Sequence, residues 1–295
     1  MATIDLNCDM GESFGAWTMG EDEAMMELIT TANIACGFHA GDPVVMRDTI
    51  LAAKARGIAV GAHPSFMDIY GFGRRRISGE RPEDVEAQLI YQIAAMQGMA
   101  AALSWPITHV KTHGALGNMA AVDQDLAQVC IRAIKAVDPS LVFITLPYSE
   151  TMKAAERAGL RVACEVYADR TYDDTGMLTS RQMQGAVIHD PNQSVDQVLS
   201  MVCDGVIPTT GGKKLRWKPH HLRSRRYARR RGYGARPSFI ARPTRAAICS
   251  FRHIKHLIRG RSIDTYCLSE RRLACRSRRQ GFRFRPRLSV CGRHL

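Results

Sequence analysis

"ANIACGFHAGDPVVMRDTILAAKARG", residues 32–57, decides the fold. It opens with a short apolar run and passes through a glycine-flanked turn carrying His39 and Asp42. It then continues with helical periodicity. Asp42 stands where an N-cap belongs, Pro43 at the first helical position and Gly57 at the C-terminal stop. Strand, polar turn and helix make one β-then-α unit. The same order recurs outward in both directions. Strand-type runs are expected at 3–8, 32–36, 59–62, 108–111, 142–146 and 161–166. Helical patterns lie between them at 81–103, 123–137 and 149–159, and after them at 193–205. Repeated βα units imply a parallel sheet with right-handed crossovers, either doubly wound or closed as a barrel.

The polar residues separate those two options. Asn7, Asp9 and Glu12 follow the first strand; Asn33, His39 and Asp42 follow the second. His63 ends the third. Lys111, His113 and Asn118 follow the fourth, and Glu165, Asp169 and Arg170 the sixth. A doubly wound sheet concentrates its site at one switch point. A barrel gathers every strand's C-terminal end around one mouth. Five of six strand ends bearing reactive side chains therefore favour a β/α barrel.

Charge is divided sharply along the chain. The net charge of +13 hides two opposite halves. Residues 1–215 hold 17 Lys+Arg against 26 Asp+Glu, a net of −9; residues 216–295 hold 24 against 2, a net of +22. No apolar run is long enough to span a bilayer. The start, "MATIDLNCDMGE", has acids where a secretory signal would be basic. Nine cysteines without paired CxxC spacing fit reduced thiols in a cytoplasmic protein. Cys8 and Cys36 read as small buried residues.

The clustered groups suit hydrolysis at an amide or acyl centre. Asp9 or Asp169 is placed to orient or activate water. His39, His63 and His113 are suited to proton transfer near neutral pH, and Lys111 to stabilising an oxyanion. Aspartate with two or three histidines is equally a first-row metal set, and residues drawn from separate strands leave that choice open. "GFGRRR", 71–76, lacks the spacing and the Lys-Ser/Thr of a phosphate loop. Its arginines have the fork geometry for a carboxylate or phosphate.

Five motifs in order, "IDLNCDMGESFG", "NIACGFHAGDP", "GAHPS" with "GFGRR", "HVKTHGALGN" and "ADRTY", resemble the LamB/YcsF family of 5-oxoprolinase A subunits over about residues 3–219. The resemblance implies an irregular, seven-stranded β/α barrel of the polysaccharide-deacetylase-like kind. It also implies ATP-dependent opening, with Mg, of the lactam 5-oxo-L-proline to L-glutamate, with partner subunits B and C. The matched positions are Asn7, Asp9, Glu12, Asn33, His39, Asp42, His63, Arg74, Arg75, Lys111, His113, Asn118, Asp169 and Arg170. By chemistry, Asp9, Glu12, His39, His63, His113 and Asp169 are assigned as catalytic. Asn7, Asn33, Asp42, Arg74, Arg75, Lys111, Asn118 and Arg170 are assigned to substrate binding. Three departures touch the substrate loops: Thr112 stands where the family usually has Pro, Gly117 where it has Tyr, and Phe66-Met67 where it has Tyr-Pro. Two rival readings share the same residues: a metal-dependent N-acetyl-sugar deacetylase, and a non-catalytic subunit that positions substrate.

The largest departure follows residue 220. The family would continue Thr-Ile-Cys-Val-His-Gly-Asp-Thr-Pro-Gly-Ala-Val and then a closing helix. Here the chain reads "HHLRSRRYARRRGYGAR". Permitted codons for that stretch, read one base later, spell T-I-C-V-H-G-D-T-P-G-A-V-A-M-A-R. The chain is accordingly expected to divide into a β/α-barrel hydrolase domain, 1–220, and an out-of-frame, disordered Arg-rich tail, 221–295. The last strand and closing helix would be lost. The alternative, a basic nucleic-acid arm, would bind phosphates by counterion release. The tail's scattered Cys, Ile and Leu form no repeat or recognisable module, so no specific nucleic-acid partner is expected.

Overall fold

The computed structural model describes residues 3–217 and 246–250. Six parallel strands pair in chain order: β1 (Thr3–Met10), β2 (Thr31–Ala35), β3 (Ala59–His63), β4 (His109–Lys111), β5 (Val142–Thr145) and β6 (Arg161–Tyr167). Each expected strand is present, with ends displaced by at most two residues. The sheet curls because each parallel pair twists the next, and helices cover its outer face.

The helices start where their caps dictate. In α2 (Pro43–Ala55) the Asp42 carboxylate accepts from the Val44 and Val45 N–H groups. Asp123 opens α5 (Gln124–Val137), Ser149 opens α6 (Glu150–Arg157), and Asp190 opens α7 (Pro191–Cys203) in the same way. The long α3 (Pro82–Ala102) begins with proline and carries Glu83 and Asp84 in its first turn. Two short helices escape the periodicity reading, α1 (Asp22–Met26) and α4 (Gly114–Ala120), because five and seven residues are too few to show a period. So does the hairpin of β7 (Val206–Pro208) and β8 (Lys214–Arg216).

Strand alternation sorts the side chains. Met10, Ile34, Val60, Val110, Phe143 and Cys164 are buried with Ile50, Ile93, Met96 and Ile131 of the surrounding helices. Their neighbours in the pleat, Asn7, Asp9, Asn33, His109, Lys111 and Glu165, hydrogen-bond to one another inside the barrel. The helical shell is thus the apolar core, and the lumen is the polar one. Among the described residues, no helix is long and apolar enough to cross a membrane.

The place of the strand expected to be lost is taken by β9 (Ala246–Ser250), which lies parallel to both β1 and β6 and closes the barrel. The physical reason is the pair of exposed edges: unpaired N–H and C=O rows on β1 and β6 template any short β-compatible segment. "AAICS" is such a segment between arginine-rich stretches. The rest of the expected 221–295 tail, and the 220/221 boundary, lie outside the described residues.

Candidate active site

The site begins at the bottom of a buried ladder. Asn7, Asp9, Asn33, His109, Lys111 and Glu165 meet where β1, β2, β4 and β6 face one another. The Lys111 ammonium donates to Asp9 Oδ1 at 2.9 Å, to Glu165 Oε1 at 2.7 Å and, more weakly, to Asn7 Oδ1 at 3.4 Å. Asn33 Nδ2 donates to Asn7 Oδ1 at 2.7 Å and to Asp9 Oδ1 at 3.0 Å. Burial alone would pull the Lys111 pKa down. The Asp9 and Glu165 carboxylates outweigh it and hold the amine well above its usual range. It is therefore a permanent cation with its three donors directed at the ladder. Lys111, assigned by the sequence to substrate or oxyanion contact, is engaged here by the Asp9 and Glu165 carboxylates.

His109 was not among the expected site residues. Its Nε2 faces Asn33 Oδ1 at 2.9 Å, and its Nδ1 faces Thr108 Oγ1 at 2.9 Å. The Asn33 amide nitrogen is already donating, so its oxygen accepts, and His109 carries the proton on Nε2. A Cβ at Gly61, the residue paired with His109 across β3 and β4, would collide with this ring. Desolvation, with Lys111 and His63 adding to it, lowers the His109 pKa to about 3. The folded value lies below the unfolded value of about 6.5, so the unfolded chain binds the extra proton. Stability from this residue is complete above pH ~6.5 and is lost as pH falls toward ~3. Ring NMR should show His109 neutral with a midpoint near 3; a midpoint near 6.5 would contradict the buried ladder.

Above the ladder, at the C-terminal strand ends, Glu12, His39, His63 and His113 converge. One candidate ligand atom from each lies within 4.8 Å of all the others. His63 Nδ1 meets the Lys111 backbone carbonyl at 2.6 Å, and its Nε2 lies 3.3 Å from Asp9 Oδ2. His113 Nε2 meets the Phe72 carbonyl at 2.9 Å, and its Nδ1 lies 3.0 Å from His63 Nε2. Glu12 Oε1 sits 3.5 Å from both His39 Nε2 and His113 Nδ1. The His39 and His113 rings stack with centroids 3.8 Å apart. Desolvation, only partly offset by Glu12, brings the His39 pKa down to about 4, so His39 is neutral at physiological pH.

The loop after β3 seals this cluster. The buried Asp68 carboxylate accepts from the Gly71 N–H at 2.9 Å and from the Arg75 guanidinium. Gly73, at φ +61°, passes so close that a Cβ would lie 2.8 Å from His39 Cβ and 2.9 Å from His113 Cδ2. Only glycine combines that backbone with that approach. Arg74 is exposed, its guanidinium carbon 5.0 Å from the Phe72 ring centroid.

Several assigned substrate residues have other uses. Asp42 caps α2 and also accepts from the Gly15 N–H at 2.8 Å. Arg75 holds Asp68. Arg170 is buried and donates to the Ala186 and Thr179 carbonyls, bracing the loop after β6. Asn118 lies exposed on α4. Asp169 is buried at the start of the loop after β6, where its carbonyl accepts from the Ile188 N–H at 2.8 Å. Two of the sequence departures touch: a Cβ at Gly117 would lie 2.9 Å from the Thr112 carbonyl oxygen. Cys8, Cys36, Cys130, Cys164 and Cys203 are all free and buried. Burial raises the thiol pKa of Cys36 to about 12, which removes it as a nucleophile.

The fold and this cluster define a β/α-barrel hydrolase whose carboxylates and imidazoles sit at the mouth of the barrel. The chain belongs to the LamB/YcsF family, whose pattern matches residues 4–223. It is 52% identical over 215 residues to the 5-oxoprolinase A subunit of Rhodopseudomonas palustris strain CGA009, covering 73% of this chain and 85% of that one. It is 51% identical over 218 residues to the second 5-oxoprolinase A subunit of Bradyrhizobium diazoefficiens, covering 74% and 85%. The crystal structure of a lactam utilization protein from Thermus thermophilus superimposes with a TM-score of 0.73 at 33% identity, over 96% of this chain and 99% of that one.

Proposed function

We propose that this chain is the A subunit of an ATP-dependent 5-oxoprolinase, a hydrolase that opens the lactam of 5-oxo-L-proline to L-glutamate. The observation that carries the reading is the locked Asp9–Lys111–Glu165 ladder directly beneath Glu12 and three histidines. Lactam opening needs water to add to the carbonyl carbon, the C–N bond to break, and the ring nitrogen to receive a proton. One group must therefore remove a proton and another return it. Asp9, held by Lys111 and Asn33, lies 3.3 Å from His63, which in turn lies 3.0 Å from His113. Asp9, His63 and His113 thus line one path from the barrel floor to the mouth. Glu12, at its edge, is placed to activate the water, and Arg74 at the rim to receive the substrate carboxylate. Asp169 is kept as a further candidate acid.

A five-membered lactam is a stable amide, so the reading includes activation by ATP with Mg. The chain holds no Walker loop, and activation is assigned to partner subunits B and C. Uncommitted buried thiols fit a cytoplasmic setting. The cluster of Glu12 with three histidines favours the rival N-acetyl-sugar deacetylase, but relatives at about half identity carry the oxoprolinase name.

We further infer that the native barrel is the seven-stranded, deacetylase-like form, and that residues from about 221 are read out of frame. The family likeness ends at residue 223, and the match covers 85% of the Rhodopseudomonas relative, which supports this reading. In the restored frame the His-Gly-Asp strand would occupy the place that β9 holds. The nucleotide sequence around codon 220 tests it directly. Assayed alone, with or without ATP, the frame-corrected chain should release no L-glutamate; full activity in isolation would refute the need for partners.

A further inference from the structure

We propose that Glu12, His39, His63 and His113 bind one first-row divalent cation of borderline softness, such as zinc, cobalt or iron(II). The argument starts from where the imidazole protons must be. His63 Nδ1 faces the Lys111 backbone carbonyl at 2.6 Å, and His113 Nε2 faces the Phe72 carbonyl at 2.9 Å. A carbonyl oxygen only accepts, so each ring carries its proton on that nitrogen. With both rings neutral, the remaining nitrogens, His63 Nε2 and His113 Nδ1, point lone pairs at each other across 3.0 Å. Asp9 Oδ2 adds a third acceptor 3.3 Å from the same His63 nitrogen. Glu12 Oε1 adds a fourth, 3.5 Å from His113 Nδ1. Acceptors facing acceptors at these distances repel unless a cation lies among them.

The fixed tautomers are themselves a metal-site feature. Imidazole ligands usually anchor the second ring N–H on a carbonyl or carboxylate, which sets the lone pair toward the ion. Here two of three histidines have such an anchor. The third, His39, is fully buried, and neither of its ring nitrogens has a hydrogen-bond partner among the described residues; its closest acidic neighbour is Glu12 at 3.5 Å. A buried imidazole with no hydrogen bond is costly unless a ligand takes its lone pair.

The spacing fits an ion at ordinary bond lengths. Bonds of ~2.1 Å in a tetrahedron place ligand atoms roughly 3.4 Å apart. Three of the six ligand-atom pairs lie at 3.0, 3.5 and 3.5 Å, and the others within 4.8 Å. Three imidazoles and one carboxylate select a borderline ion over magnesium or calcium, which take oxygen ligands. Asp9 then stands beside the ion, and Lys111 keeps that carboxylate from swinging away. The proposal is independent of the lactam reading, because binding is measured without substrate.

The test is titration of the metal-stripped, full-length chain with cobalt(II), followed by visible absorption, with metal content of the as-purified protein as a second readout. One equivalent should bind and develop ligand-field bands of a nitrogen-rich site. His39→Asn removes no hydrogen bond and should weaken binding at least tenfold with folding kept. Glu12→Gln, nearly isosteric, should do the same and covers the case in which His39→Asn does not fold. Absence of stoichiometric cobalt binding, or unchanged affinity in a folded variant, would overturn the proposal.

Discussion

Lys111→Met should destabilise the protein by about 3–5 kcal/mol in denaturant unfolding at neutral pH. Lys111 is 3% exposed and sits between two buried carboxylates at 2.9 and 2.7 Å. Removing the ammonium leaves the buried Asp9 and Glu165 carboxylates without their shared cation. The penalty is the desolvation of those carboxylates, not the worth of the bonds lost. Neutralising the partners should therefore recover most of the loss: the triple variant with Asp9→Asn and Glu165→Gln should lie much closer to the parent. A loss below about 1 kcal/mol for Lys111→Met would mean that the ladder is solvated, in the range of surface ion pairs.

Alanine at Asp9, His39, His63, His113 or Asp169 in the frame-corrected protein should lower lactam turnover by about 10²–10⁴, the usual effect of removing a positioned acid or base. His113 and His63 should show the largest losses, because both rings are anchored on backbone carbonyls at the centre of the cluster. Circular dichroism should remain close to that of the parent for His39, which makes no hydrogen bond that the substitution breaks. Near-normal turnover in all five variants would leave the chain as a substrate-positioning subunit.

The residues that locate the site were legible because a β/α barrel gathers its strand ends. Asp9, Glu12, His39, His63 and His113 stand at those ends, and the structure brings them together. The ladder beneath them was harder to see. His109 lies two residues before Lys111, so the alternation of β4 alone places both on one face. Gly61 opposite it falls inside the expected strand 59–62 without a sequence reason, which becomes visible only when the His109 ring occupies the space. Asp42, Arg75 and Arg170 show the other limit. Sequence gives the type of side chain, whereas the partner that takes up its donors or acceptors is a tertiary fact. Asp42 is consumed by backbone N–H groups, Arg75 by Asp68, and Arg170 by two carbonyls. The five residues of β9 are β-compatible, but their partners are the distant edges of β1 and β6.

The most direct measurement is ATP-dependent formation of L-glutamate from 5-oxo-L-proline by the frame-corrected chain mixed with subunits B and C. Steady turnover should appear with all components, vanish when this chain is omitted, and vanish again when His113→Ala replaces it. Equal turnover with the chain omitted, or with the variant in its place, would contradict the assignment of the barrel mouth as the site of lactam opening.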